Sequence, residues 1–123
     1  MPHKKYYGYK PKYEYYSVTL YQVDGEVGES IVFDFDDGKC VLTHLYWGCK
    51  LDYEYSRDGE VEHSCIWDKE NTKKLMFRTN TRNGSDLVRA IYDRFHLKER
   101  DAAKCIMEWC DTKEIKYDCQ VWY

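Results

Sequence analysis

The segment Ile31–Trp67, IVFDFDDGKCVLTHLYWGCKLDYEYSRDGEVEHSCIW, decides how this chain folds. Two Asp-Gly pairs punctuate it, Asp37-Gly38 and Asp58-Gly59. An Asp-Gly pair tolerates the positive φ angles of a type I′ turn, so each marks a two-residue hairpin loop. Gly48-Cys49 lies between them and offers a third turn, with Gly where a type II′ turn needs it. The segment therefore reads as four β-strands joined by three tight turns.

Two-residue loops dictate the register. Phe35 should face Cys40, Phe33 should face Leu42, and Ile31 should face His44. Across the middle turn, Tyr46 should face Leu51, His44 should face Tyr53, and Leu42 should face Tyr55. Across the last turn, Leu51 should face Ile66 and Tyr53 should face Ser64. Side chains alternate along a strand. One face then carries Ile31, Phe33, Phe35, Cys40, Leu42, His44, Tyr46 and Ile66, with Glu62 and Ser64 as polar exceptions. The other carries Asp34, Asp36, His63 and Cys65, together with Val32, Val41, Leu45, Trp47, Val61 and Trp67. Three separate turns yield one mostly apolar face, which supports the meander.

Outside this segment, YYSVTLYQV (15–23) reads as a strand and Asp24-Gly25 as a further turn. Residues 1–14, MPHKKYYGYKPKYE, interleave Lys4, Lys5, Lys10 and Lys12 with Tyr6, Tyr7, Tyr9 and Tyr13. They read as a flexible basic tail. Downstream, DKENTKK (68–74) reads as a polar loop and LMFRTNT (75–81) as a strand. Ser85 is placed to cap a helix carrying Leu87, Val88, Ile91, Tyr92 and Phe95 at helical spacing and ending near His96. Leu97 to Arg100 makes a corner. A second helix follows, through about Cys110, with Ala102, Ala103, Ile106 and Cys110 on its apolar side. KEIKYDCQVWY then alternates as a final strand. The chain is predicted to be one α+β domain over 1–123. A mainly antiparallel β-meander is packed on one face by a helix pair, with a C-terminal strand added.

Composition narrows the function classes. The chain has 123 residues and a net charge of -3, too mild to identify a partner. No apolar run approaches the ~20 residues of a membrane span. The N-terminus lacks the apolar segment of a secretory signal, so a cytoplasmic location is expected. The 6 cysteines should then be reduced thiols or metal ligands. No Gly-rich phosphate loop, G-x-S-x-G or H-E-x-x-H is present, so an enzyme is not expected. His63 and Cys65 alternate on one strand, about 6.6 Å apart at the base. With Cys110 and Cys119 they could supply the four N and S ligands of a structural zinc. The alternative is that these cysteines are scattered small apolar side chains.

Acidic residues concentrate in two places. From Asp24 to Asp37 the chain carries Asp24, Glu26, Glu29, Asp34, Asp36 and Asp37 with no Lys or Arg, and Asp58, Glu60 and Glu62 form a second cluster. The plain reading is a solvated rim that protects sheet edges. The functional reading joins Asp34, Asp36, Asp37, Asp58, Glu60 and Glu62 with Trp47 and Trp67. Together they would form an acidic, aromatic surface that meets a protein partner with a basic surface.

In its size, its acidic clusters and its lack of a catalytic motif, the chain resembles the short acid- and Tyr-rich proteins carried by phages and mobile elements. These include anti-CRISPR inhibitors. The resemblance implies a protein that occupies the basic channel of an RNA-guided CRISPR nuclease and blocks DNA loading in the host cytosol. It carries over no individual residue, and the basic N-terminus departs from a strict DNA mimic. Two alternatives stand beside it. One is a nucleic-acid-binding module gripping phosphates with the N-terminal Lys and bases with the Tyr. The other is a small metal-dependent enzyme.

Overall fold

A computed structural model of the protein describes residues 12–48 and 60–122. Five strands, β1 (Tyr15–Val23), β2 (Gly28–Asp36), β3 (Lys39–Trp47), β4 (Glu60–Trp67) and β5 (Asp118–Trp122), form one antiparallel sheet in the order β1-β2-β3-β4-β5. Between β4 and β5 run helices α1 (Lys69–Thr79), α2 (Gly84–Phe95) and α3 (Ala102–Thr112), with a 3₁₀ segment over His96–Asp101 linking the last two. The architecture is the expected α+β meander with its helices on one face. No helix among the described residues is long and apolar enough to cross a membrane.

The β2–β3 hairpin follows from its turn chemistry. Asp37 (φ 48°) and Gly38 (φ 97°) both adopt positive φ, as a type I′ turn demands. Phe35 pairs with Cys40, Phe33 with Leu42 and Ile31 with His44, as the turn dictates. On β1, a bulge between Thr19 and Tyr21 leaves Leu20 without a strand partner, and Leu20 is buried in the core.

The register of β4 differs from expectation. The expected strand partners Leu51, Tyr53 and Tyr55, and the turns at Gly48-Cys49 and Asp58-Gly59, lie wholly or partly outside the described residues. The positions assigned to them on β3 and β4 are filled otherwise. Leu42 pairs with Cys65, His44 with His63, and Tyr46 with Val61, while the far side of β4 pairs with β5. Relative to expectation this flips every β4 side chain to the opposite face. Val61, Cys65 and Trp67 turn inward and are buried. Glu60, Glu62, Ser64 and Ile66 turn outward. The flip removes the two polar exceptions, Glu62 and Ser64, from the core face.

That core unites Ile31, Phe33, Phe35, Leu42 and Trp67 with Leu75 of α1, Leu87 and Ile91 of α2, and Ile106 of α3. Trp67 packs at a tilt against Phe33 and Tyr117, with ring centroids 5.9 and 5.2 Å apart. Residues 69–79, expected as loop and strand, form α1. The Asp68 carboxylate accepts from the Asn71 amide at 2.8 Å and caps it, and this hydrogen bond first of all holds the carboxyl below the usual range. Helix α2 is capped by Asn83 instead of Ser85, its side chain accepting from the Asp86 amide at 2.8 Å. A Cβ at Gly84 would lie 2.3 Å from the Phe35 ring, so Gly lets the start of α2 press against β2. The expected corner is present, with a break at Glu99 (φ 51°).

Candidate functional site

The helices cover one face of the sheet, and among the described residues no helix or strand packs over the other, the bare face. Register alone defines the bare face. Its rows run Ser17–Asp34–Val41–Ile66–Asp118, then Thr19–Val32–Thr43–Ser64–Gln120, then Gln22–Ser30–Leu45–Glu62–Trp122. Tyr15–Asp36–Lys39 closes one end, and Gly28–Trp47–Glu60 closes the other. Val32, Val41 and Leu45 form a half-buried apolar stripe along β2 and β3. Carboxylates flank it: Asp34 and Asp36 on β2, Glu60 and Glu62 on β4, Asp118 on β5. Lys39 is the one Lys or Arg among these rows.

Local contacts hold this surface in place. The Trp47 indole lies over Gly28, where a Cβ would come within 2.2 Å of the ring, and its Nε1 donates to the Gly25 carbonyl at 2.8 Å. Trp47 is thus fixed at the end of the stripe. At the opposite end, the Tyr13 hydroxyl donates to the Asp36 carboxylate. Burial, and then its hydrogen bond to Asp34, push the Tyr15 phenol above its ordinary pKa.

The expected partner-binding residues separate on this geometry. Asp34, Asp36, Glu60, Glu62 and Trp47 share the bare face. Asp37 sits exposed at the hairpin tip beside it. Asp58 lies outside the described residues. Trp67 is a correction: it is fully buried on the helix side, because β4 carries the opposite parity to that expected. The sequence reading missed Trp122, which stands on the bare face 58% exposed. Its position depends on which strand β5 pairs with, and no local pattern encodes that.

The four expected zinc ligands do not form one cluster. Cys65 and Cys119 are cross-strand partners joined in a disulfide, with Cα atoms 4.1 Å apart. Neither sulfur is then a thiolate available to a metal, which also corrects the expectation that both are reduced. His63 has its Nε2 3.0 Å from the Tyr46 hydroxyl. Cys110 is buried in the core, and burial pushes its thiol up to about 12. Among the described residues, no group of three or more His, Cys, Asp or Glu is placed to hold a metal ion. The Lys and Tyr of the nucleic-acid reading lie mostly within residues 1–11, outside the described residues.

No protein-family model, no curated protein and no solved structure matches the chain.

Proposed function

We propose that this chain is a protein-binding inhibitor module whose bare sheet face docks onto a basic surface of its partner. The single observation that supports this reading is the convergence of Asp34, Asp36, Glu60, Glu62 and Asp118 around an apolar stripe anchored by Trp47. Acidic side chains steer a basic partner into encounter, and a rigid indole beside aliphatic side chains supplies the dry centre of an interface. A protein that binds nucleic acid offers such a basic surface. Occupying it would exclude phosphates, which makes an RNA-guided nuclease a fitting target and blocked DNA loading the outcome.

The test adds the purified full chain to a panel of such nucleases and measures DNA loading and cleavage. Inhibition should fall as salt rises, since exposed charges are screened over about 10 Å at 0.1 M. Glu60→Lys with Glu62→Lys should slow association by roughly tenfold or more while the variant still unfolds cooperatively on heating. Cleavage that is unaffected across the panel would remove the nuclease as target. Tight binding to a nuclease that survives the charge reversal would remove the bare face as the docking surface.

A further inference from the structure

The helix side of the sheet ends in a cavity of about 350 Å³, on the opposite side from the docking face. Side chains from five elements converge on it: Glu29 of β2, His44 and Tyr46 of β3, His63 of β4, Arg100 of the 3₁₀ segment and Lys104 of α3. Its volume is within the range of small-ligand pockets.

The polar groups are arranged around one half-buried carboxylate. Glu29 is 13% exposed and divides its oxygens, Oε2 lying 2.5 Å from His44 Nε2 and Oε1 accepting from Arg100 Nε at 3.1 Å. Glu29 therefore positions an imidazole and a guanidinium together. His44 and His63 are direct cross-strand partners with ring centroids 6.4 Å apart. The Tyr46 ring stacks on His63.

The backbone adds to the same polarity. The first turn of α3 lines the cavity through Ala103 and Lys104, so the positive end of an 11-residue helix is presented there. Asp101 occupies the N-cap position, yet its side chain makes no capping hydrogen bond. The Ala102 amide donates instead to the Glu99 carbonyl of the preceding 3₁₀ segment.

We propose that this cavity is a binding site for a phosphate group carried by a small organic molecule. A tetrahedral oxyanion can accept from a guanidinium and an ammonium at once, and the positive end of a helix dipole favours its charge. Glu29 is the deeper carboxylate, and the Arg100 guanidinium it binds matches its charge. Asp101 is the other carboxylate of the lining and is exposed. The cavity is larger than a phosphate and leaves room for the attached group.

The experiment titrates the full chain with inorganic phosphate, uridine 5′-monophosphate and uridine, following the histidine ring resonances by NMR. Both phosphates should saturate with Kd of about 1 mM or tighter and move the His44 and His63 signals, and uridine should not. Arg100→Gln with Lys104→Gln replaces two exposed side chains, so the fold should persist, checked by thermal unfolding. That variant should lose at least roughly tenfold in affinity. Glu60→Lys with Glu62→Lys should bind phosphate as the parent does, which separates this site from the docking face. Absence of saturation, or equal affinity in the Arg100/Lys104 variant, overturns the proposal. So does a titration in which zinc chloride moves both histidines and phosphate moves neither.

Discussion

Trp67 and Trp47 are the same residue type with opposite roles. Trp67 is enclosed by Phe33 and Tyr117, so Trp67→Ala should cost about 3–5 kcal/mol, seen as a lowered urea midpoint. Trp47 has one hydrogen bond and a half-buried ring, so Trp47→Ala should cost only about 1–2 kcal/mol while weakening partner binding far more. The thiols divide in a similar way. Burial raises Cys40 and Cys110 to about 12, whereas Cys105 is half-exposed. At pH 8, iodoacetamide should label Cys105 and spare the other two until the protein unfolds. A raised pKa means that folding favours the protonated thiol. That stabilisation is complete below the unfolded thiol's pKa of about 8.5 and is lost as pH rises toward 12. Above pH ~9, each of the two thiols should lower the unfolding free energy by roughly 1.4 kcal/mol per pH unit. A flat urea midpoint between pH 9 and 10.5 would contradict this. None of these roles was legible from residue type, because burial is set by neighbours distant in sequence.

At the level of elements, caps and a crosslink carry specific energies. Asn83→Ala removes the cap of α2 and should cost about 1 kcal/mol. Gly84→Ala should cost about 1–3 kcal/mol, because its methyl group would meet the Phe35 ring and not open space. The Cys65–Cys119 disulfide spans 54 residues and holds edge strand β5, all of whose residues are exposed, onto β4. Cys119→Ser should lower stability by about 4 kcal/mol if crosslink entropy is the whole effect. Denaturation of the variant beside the oxidised parent measures it. Helix α3 was legible because Ala102, Ala103, Ile106 and Cys110 recur at helical spacing, and all four are buried. Helix α1 was not. It buries only Thr72 and Leu75, so its helical stripe is thin. Leu75 and Phe77 imitate a strand's alternation, yet Phe77 is 81% exposed on a helix.

For the whole molecule, the sheet divides the protein into two sides. One is the acidic face proposed to dock on a basic partner. The other is a helix-covered core that ends in a polar cavity. The two lie on opposite faces of β2, β3 and β4, so Glu29→Gln should alter phosphate binding and leave partner association intact. Parallel titrations of that variant against phosphate and a responsive nuclease check the separation. The amino-acid sequence by itself determined the β2–β3 hairpin, the β1 strand, the α3 stripe and the antiparallel meander. Each rests on turn chemistry or periodicity within a few neighbouring residues. Tertiary structure alone decided the parity of β4, and with it which tryptophan is core and which acids share a face. It also decided the pairing of Cys65 with Cys119 and the meeting of Glu29 with Arg100, 71 positions away. The physical reason is the period of two along a strand. A single residue of slip in a long connection leaves every local pattern unchanged and reverses every side chain beyond it.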